Sequence, residues 1–164
     1  MTLDSRSSSL PMGQIAVAHN QGVLRTLLGS CMGVALYDRR LKIAALSHIV
    51  LPRSNGPANG PAHPPGKFAD TAIPEMIRCM QDRAAADKLK LSAKIAGGAN
   101  MFGSTDSRNT IGVLNIEAVE RILDELRIPV IGRHCGGEQG RRMMLDAANG
   151  LVTIDMVGAE TLTI

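Results

Sequence analysis

Apolar residues along this chain fall into short runs that are bounded by glycine, proline or charged residues, a pattern typical of β-strands. Strands are predicted at 14–18, 32–37, 43–50, 93–96 and 129–133. Between the second and third of these runs, the charged residues at 38–40 suit a hairpin-like turn. The clearest hairpin spans 141–157, because its turn contains Asn149-Gly150, a pair that adopts positive φ at little cost.

The first of two predicted helices spans about 71–86. Apolar residues recur there every three or four positions, which predicts one buried face. Asp70 or Thr71 is expected to cap its N-terminus. Pro74 is compatible with this helix only in the first turn, where the missing N–H would have no partner in any case.

The second predicted helix spans about 116–127 and carries a similar apolar stripe. Asn115, immediately before it, is expected to be its N-cap, because the side chains of asparagine, aspartate and serine accept the first free N–H groups of a helix. Pro129 ends it.

Strands thus outnumber helices, and a hairpin ends the chain. These features predict an α+β fold, an α/β sandwich of largely antiparallel β-sheets with helices packed on the outside. We expect a flexible, serine-rich leader at 1–11 and a single domain at 12–164. The stretch 52–66 holds five prolines and three glycines and is predicted to be an exposed loop.

Composition narrows the class of protein. Hydrophobic residues make up 45% of the 164 positions and charged residues 20%, which excludes an intrinsically disordered chain. A net charge of +3 and 2% aromatic residues argue against a nucleic-acid-binding protein. The N-terminus lacks the apolar core of a signal peptide, and three cysteines do not make a disulfide framework. We therefore expect a cytoplasmic protein with reduced thiols.

Cys31 is the first candidate for chemistry. It follows Gly29-Ser30 and precedes an apolar strand, so it can lie on a tight turn with backbone N–H groups nearby that stabilise an oxyanion. The alternative is that Cys31 is a small buried hydrophobic residue, as most free cysteines are.

His48 is the second candidate and lies inside an apolar run just before the proline-rich loop. It is either a hydrogen-bonded core histidine or a general base. A hairpin between consecutive strands would bring it within reach of Cys31, and a thiol becomes a nucleophile when an imidazole takes its proton. Gly97-Gly98, after another predicted strand, can allow close approach of a ligand, or can serve as a turn or helix-packing device. No spacing typical of a zinc site is present.

Six segments, taken in order, resemble one known family. They are 26–31 (Thr-Leu-Leu-Gly-Ser-Cys), 48–52 (His-Ile-Val-Leu-Pro), 66–72, 94–102, 111–119 and 136–142. Each motif alone is modest, but the ordered set, spread over about 12–157, is similar to the CheD family of chemoreceptor glutamine deamidases.

This resemblance implies an amidohydrolase that converts particular glutamines of methyl-accepting chemotaxis receptors to glutamate, with the phosphatase CheC as a further partner. It implies Cys31 as the nucleophile, His48 as the base and Thr26 as the hydroxyl that orients the imidazole. Ser30, Gly29, Gly97 and Gly98 are candidates for the oxyanion site or the substrate groove. Neither a metal nor an organic cofactor is expected, and the implied fold is similar to the catalytic domains of deamidating bacterial toxins.

The sequence is also compatible with two other classes of protein. The first is a non-catalytic chemotaxis adaptor that binds receptors or CheC, in which Cys31 is incidental. The second is another hydrolase of the Cys-His type, such as a peptidase or a transglutaminase-like enzyme.

Overall fold

The computed structural model describes residues 9–55, 62–103 and 110–164. Within these ranges the chain forms nine strands and two helices. In chain order they are β1 (Ile15–His19), β2 (Val23–Leu28), β3 (Met32–Asp38), β4 (Ile43–Ile49), α1 (Ala69–Ala84), β5 (Ser92–Gly97), α2 (Ile111–Glu125), β6 (Val130–Cys135), β7 (Arg141–Asp146), β8 (Val152–Asp155) and β9 (Leu162–Thr163).

The strands form two sheets. The central sheet has the order β1-β4-β3-β5-β6, and the outer sheet has the order β2-β7-β8-β9. All pairs are antiparallel except β5 and β6, which run parallel and are connected through α2. The predicted α+β class with largely antiparallel sheets is therefore confirmed.

The domain has three layers, because the central sheet is covered on both faces. The side chains of Met32, Val34 and Leu36 join the two helices in one hydrophobic core. The alternate residues of the same strand, Ala35 and Tyr37, face the outer sheet in a second core. Since both faces are covered, every residue of β3 and β4 is buried, and all are apolar except Asp38, Ser47 and His48.

Helix α1 begins two residues earlier than predicted. Its N-cap is Phe68, which makes no side-chain capping bond, so neither Asp70 nor Thr71 is the cap. Asp70 lies in the first turn, where its carboxylate accepts hydrogen bonds from the backbone N–H and hydroxyl of Ser54. Pro74 consequently lies in the second turn, where it removes one helical hydrogen bond.

Helix α2 begins five residues earlier than predicted, and Asn115 is not its cap. The cap is Thr110, whose hydroxyl accepts a hydrogen bond from the N–H of Val113 at 3.3 Å. Asn115 lies inside the helix with its side chain fully buried. An asparagine before an apolar run is typical of an N-cap. Here Asn115 instead donates hydrogen bonds to two backbone carbonyls at the end of the central sheet.

Three features of the chain were not predicted. Strand β2 was not recognised, and neither was the short β9. The parallel pairing of β5 with β6 was also not foreseen.

Residues 56–61 of the predicted loop and 1–8 of the predicted leader lie outside the described residues. Leu10, at the end of that leader, is 2% exposed and packs between the sheets. No helix in the described ranges combines the length and the apolar character needed to cross a membrane.

Candidate active site

Three of the residues singled out by sequence meet at one end of the sandwich, between the two sheets. His48 on β4 pairs with Gly33 on β3. Cys31 lies two residues before Gly33 and so faces the same side of the central sheet. Gly33 has no side chain, and the side chains of Met143 and Leu28 from the outer sheet pack over it: a Cβ there would lie 2.5 Å and 2.8 Å from them. Thr26 on β2 faces inward from the outer sheet and is fully buried.

Thr26 holds the imidazole of His48 in a defined state. Its hydroxyl oxygen lies 2.7 Å from His48 Nδ1 and 2.8 Å from the carbonyl oxygen of Leu10. A carbonyl only accepts, so the single hydroxyl proton of Thr26 is directed to Leu10. The Nδ1 atom must then carry a proton and donate it to Thr26. This assigns the tautomer in which Nε2 is unprotonated and can accept a proton.

The pKa shifts of the Cys31 thiol and the His48 imidazole both favour the neutral forms. Burial raises the pKa of Cys31 above that of an ordinary thiol. Burial also lowers the pKa of His48, an effect that the nearby Leu10 carbonyl partly opposes. The Cys31 sulfur and the His48 ring do not form a hydrogen bond with each other. The residues are therefore a neutral thiol and a neutral base on one face, not a preformed thiolate–imidazolium pair.

The turn at 29–31 is held by hydrogen bonds to all three of its carbonyl groups. The Gly29 carbonyl accepts from the N–H of Ala99 at 3.0 Å, and the Cys31 carbonyl accepts from the N–H of Gly98 at 3.0 Å. The Ser30 carbonyl accepts from the side-chain amide of Asn115 at 3.1 Å. By contrast, the backbone N–H groups of Ser30 and Cys31 find no acceptor within the described ranges. These two N–H groups are the available donors for an oxyanion.

Gly97 and Gly98 allow close packing against the 29–31 turn and against α2. A Cβ atom on Gly97, which has φ +109°, would lie 2.1 Å from the Cys31 carbonyl oxygen. A Cβ on Gly98 would lie 2.4 Å from the side chain of Ile116 in α2. The glycine pair therefore allows β5 to approach both the turn and the helix. The N–H of Gly98 is already bonded to Cys31, so Gly98 is not an available oxyanion donor.

Comparisons with known proteins identify the family of this chain. Residues 50–156 match the family described as CheD, chemotactic sensory transduction. A probable chemoreceptor glutamine deamidase CheD of Clostridium botulinum (strain Eklund 17B / Type B) is 50% identical over 133 residues, which are 80% of each chain. A second, from Clostridium botulinum (strain Alaska E43 / Type E3), is 43% identical over 95% of this chain and 96% of its own. A third, from Methanococcus vannielii, is 41% identical over 87% and 90%.

The chain belongs to the CheD family. The family match begins at residue 50 and so does not include Thr26, Cys31 or His48. The relative that aligns with 95% of the chain leaves too few terminal residues unaligned to miss these three positions.

An open groove of about 720 Å³ runs past the turn in this CheD protein. Gly29 lines it together with the exposed apolar side chains of Leu27, Met101 and Val157. Glu138, Gln139, Arg142 and Asp155 add polar groups to its rim. The groove is wide and shallow, a shape that fits part of a folded macromolecule better than a small molecule.

Arg141 builds one wall of this groove. Its buried guanidinium donates to the backbone carbonyls of His134, Gly136 and Gln139, and it also contacts His134 Nδ1 at 2.8 Å. Burial lowers the pKa of this guanidinium. Arg141 thus fixes the segment between β6 and β7 through its backbone, a role that the sequence did not reveal.

Two other parts of the site were missed by sequence reasoning. The carbonyl of Leu10 lies in a segment that was expected to be a flexible leader. The buried amide of Asn115 was interpreted as a helix cap. Its position in the helix, with its side chain directed to the sheet, could not be read from one asparagine before an apolar run. Among the described residues, no group of three or more His, Cys, Asp or Glu side chains could hold a metal ion.

Proposed function

We propose that this protein hydrolyses glutamine side chains of chemotaxis receptors to glutamate, with Cys31 as the nucleophile. The observation that carries the proposal is the placement of Cys31 and His48 on one face, with the imidazole held by Thr26 so that Nε2 can take a proton. The names of the curated relatives, which are called probable chemoreceptor glutamine deamidases, support the choice of substrate.

In the first step, His48 Nε2 takes the proton of the Cys31 thiol as the sulfur attacks the carbon of the side-chain amide. Proton transfer accompanies attack, because the buried thiol has a raised pKa and is neutral beforehand. A C–S bond forms and the amide oxygen becomes an oxyanion. We assign the N–H groups of Cys31 and Ser30 as its donors, because neither has an acceptor among the described residues. Loss of one such donor lowers a rate by about 10²–10³.

In the second step, the imidazolium of His48 protonates the amide nitrogen and the C–N bond breaks. Ammonia leaves and a glutamyl thioester on Cys31 is left. Water then attacks this thioester while His48 accepts its proton, the C–S bond breaks, and the thiol is restored. The balance is one glutamine and one water converted to one glutamate and one ammonia, with the enzyme unchanged.

The groove supports a helical substrate. Its apolar lining by Leu27, Met101 and Val157 lies next to the turn that carries Cys31, and its rim is polar. An amphipathic helix binds such a groove with its apolar face and can direct one polar side chain toward the turn. A receptor helix has this form. A surface of CheC could use the same groove.

Intact-mass analysis of a receptor cytoplasmic fragment tests the proposal. Wild-type protein should produce the small mass gain of NH₂ replaced by OH, and Cys31→Ala should not. Cys79→Ala is the matched control, because Cys79 is a partly exposed cysteine on α1 away from the site. The same gain with Cys31→Ala would remove Cys31 from the mechanism. Binding of the fragment without any mass change by wild type would favour the adaptor instead.

A further inference from the structure

We infer that Asn115 is a positioning residue for the oxyanion site, because its amide orients the peptide group that carries the N–H of Cys31. The inference rests on the proposed function. The observation behind it is independent of the Cys31 and His48 side chains: a fully buried asparagine inside α2 reaches across to the end of the central sheet.

An asparagine is a costly choice for this position. It favours a helix interior less than leucine or alanine, and burying its amide without partners is unfavourable. Its Nδ2 atom compensates by donating to two carbonyls, that of Ser30 at 3.1 Å and that of Val50 at 3.0 Å. Its Oδ1 atom is buried and has no partner among the described residues. Packing alone does not account for this arrangement, since leucine would fill a similar volume.

The two carbonyls lie just past the end of a strand pair. The last pair between β3 and β4 joins Met32 to Ile49, so Ser30 and Val50 lie beyond the ladder that would otherwise hold them. Asn115 bridges them from the helix layer. It therefore fixes the turn before Cys31 relative to the strand that carries His48.

The link to chemistry is the Ser30–Cys31 peptide group. This peptide is trans, so its C=O and its N–H point to opposite sides of one rigid plane. The amide of Asn115 binds the C=O, and this fixes the direction of the N–H of Cys31. A hydrogen bond to the carbonyl also polarises the peptide and makes its N–H a stronger donor. Asn115 thus acts on the oxyanion donor without touching the substrate.

The test compares two reactions of Cys31 in Asn115→Leu. Deamidation of the receptor fragment forms an oxyanion, whereas alkylation by iodoacetamide displaces iodide at a CH₂ group and forms none. Deamidation should fall about tenfold to a hundredfold in kcat, less than the loss of a whole donor, with KM unchanged. The rate of Cys31 alkylation should stay within about twofold of wild type. Equal losses in both reactions would overturn the inference, because they would mean a general disturbance of Cys31.

Val119→Ala is the matched control. Val119 is a fully buried residue of the same helix and packs in the core on the far side of the central sheet from Cys31. This variant should be destabilised but should keep its kcat under conditions where it is folded. If Asn115→Leu loses no more kcat than Val119→Ala, the inference is wrong while the proposed function stands.

A second measurement is independent of turnover. In the amide proton NMR spectrum, Asn115→Leu should move the Cys31 resonance upfield, since its peptide loses a polarising bond, and Val119→Ala should leave it in place. An unchanged resonance in Asn115→Leu would refute the inference even if the wild type proved not to be a deamidase. Absence of turnover by wild type would refute the proposed function alone.

Discussion

Replacing Thr26 with valine tests how the imidazole is held. The two side chains have nearly the same shape, so the change removes a hydroxyl and little else. His48 Nδ1 loses its acceptor at 2.7 Å, and the Leu10 carbonyl loses its donor at 2.8 Å. Each buried group left unpaired costs about 1–3 kcal/mol. The Nδ1–H can turn to the Leu10 carbonyl, which already affects the pKa of His48, so we expect about 1–3 kcal/mol in total rather than twice that.

The effect on catalysis should be intermediate. A base held in the wrong tautomer lowers kcat by about 10⁴. Here the Leu10 carbonyl still favours a proton on Nδ1, so the loss should come from a loosened ring and should lie between about tenfold and a thousandfold, below that limit. Thr26→Ser, which keeps the hydroxyl, should recover most of the activity. Thr153→Val is the matched control, because Thr153 lies on β8 of the same outer sheet.

Three assays separate these outcomes. Urea unfolding gives the loss of stability, intact-mass time courses give kcat, and NMR of the ring nitrogens reports which of them in His48 carries the proton. Wild type should show a protonated Nδ1 and an unprotonated Nε2. Full activity of Thr26→Val, or a proton on Nε2 in wild type, would refute the assignment of Thr26 and Leu10.

Three other perturbations act on the 29–31 turn, on His48 and on the groove. Gly97→Ala should abolish activity and destabilise the domain, since the new Cβ would lie 2.1 Å from the Cys31 carbonyl oxygen. Gly158 also has positive φ but no neighbour within 4 Å, so Gly158→Ala is the control and should lose only about 1 kcal/mol of stability in urea unfolding. Deamidation should fall as pH drops through the pKa of His48, which burial holds below its usual value, because protonated Nε2 cannot accept a proton; a rate that rises as the pH falls would contradict this. Val157→Asp should raise KM for the receptor fragment without changing kcat or the urea midpoint, since Val157 is 93% exposed on the groove; an unchanged KM would exclude the groove as the docking site.

Most strands could be predicted because both faces of the central sheet are buried. β3 and β4 are short runs of mostly apolar residues bounded by a charged turn and a proline-rich loop, and their length and flanks favour strands over helices. Strand β2 shows the opposite case. It places polar Thr26 inside and apolar Leu27, 57% exposed, outside. This inversion hides the strand from any pattern of alternation, and it exists because Thr26 serves His48 and Leu27 lines the groove.

The start of α2 was missed for a related reason. Gly112 in its first turn and Asn115 inside it both have low helix propensity, so the prediction placed the start at Ile116 although Ile111, Val113 and Leu114 are apolar. A Cβ on Gly112 would lie 2.4 Å from the Gly98 carbonyl. Both residues are therefore needed for the contact between the helix and the site. At Gly112 and Asn115, contacts with the segments around the 29–31 turn outweigh the low helix propensity of these residues.

The position of Cys31 follows from the topology. The chain passes from the outer sheet to the central sheet between β2 and β3, and it passes back between β6 and β7. Both crossings lie at one end of the sandwich, beside the ends of β4 and β5. Where the strands separate, backbone carbonyl and N–H groups have no partner in a β-ladder. Asn115, Gly98 and Arg141 donate hydrogen bonds to carbonyls in this region. Among the described residues, the N–H groups of Ser30 and Cys31 are left without an acceptor, and this is why we propose them as the donors to the oxyanion.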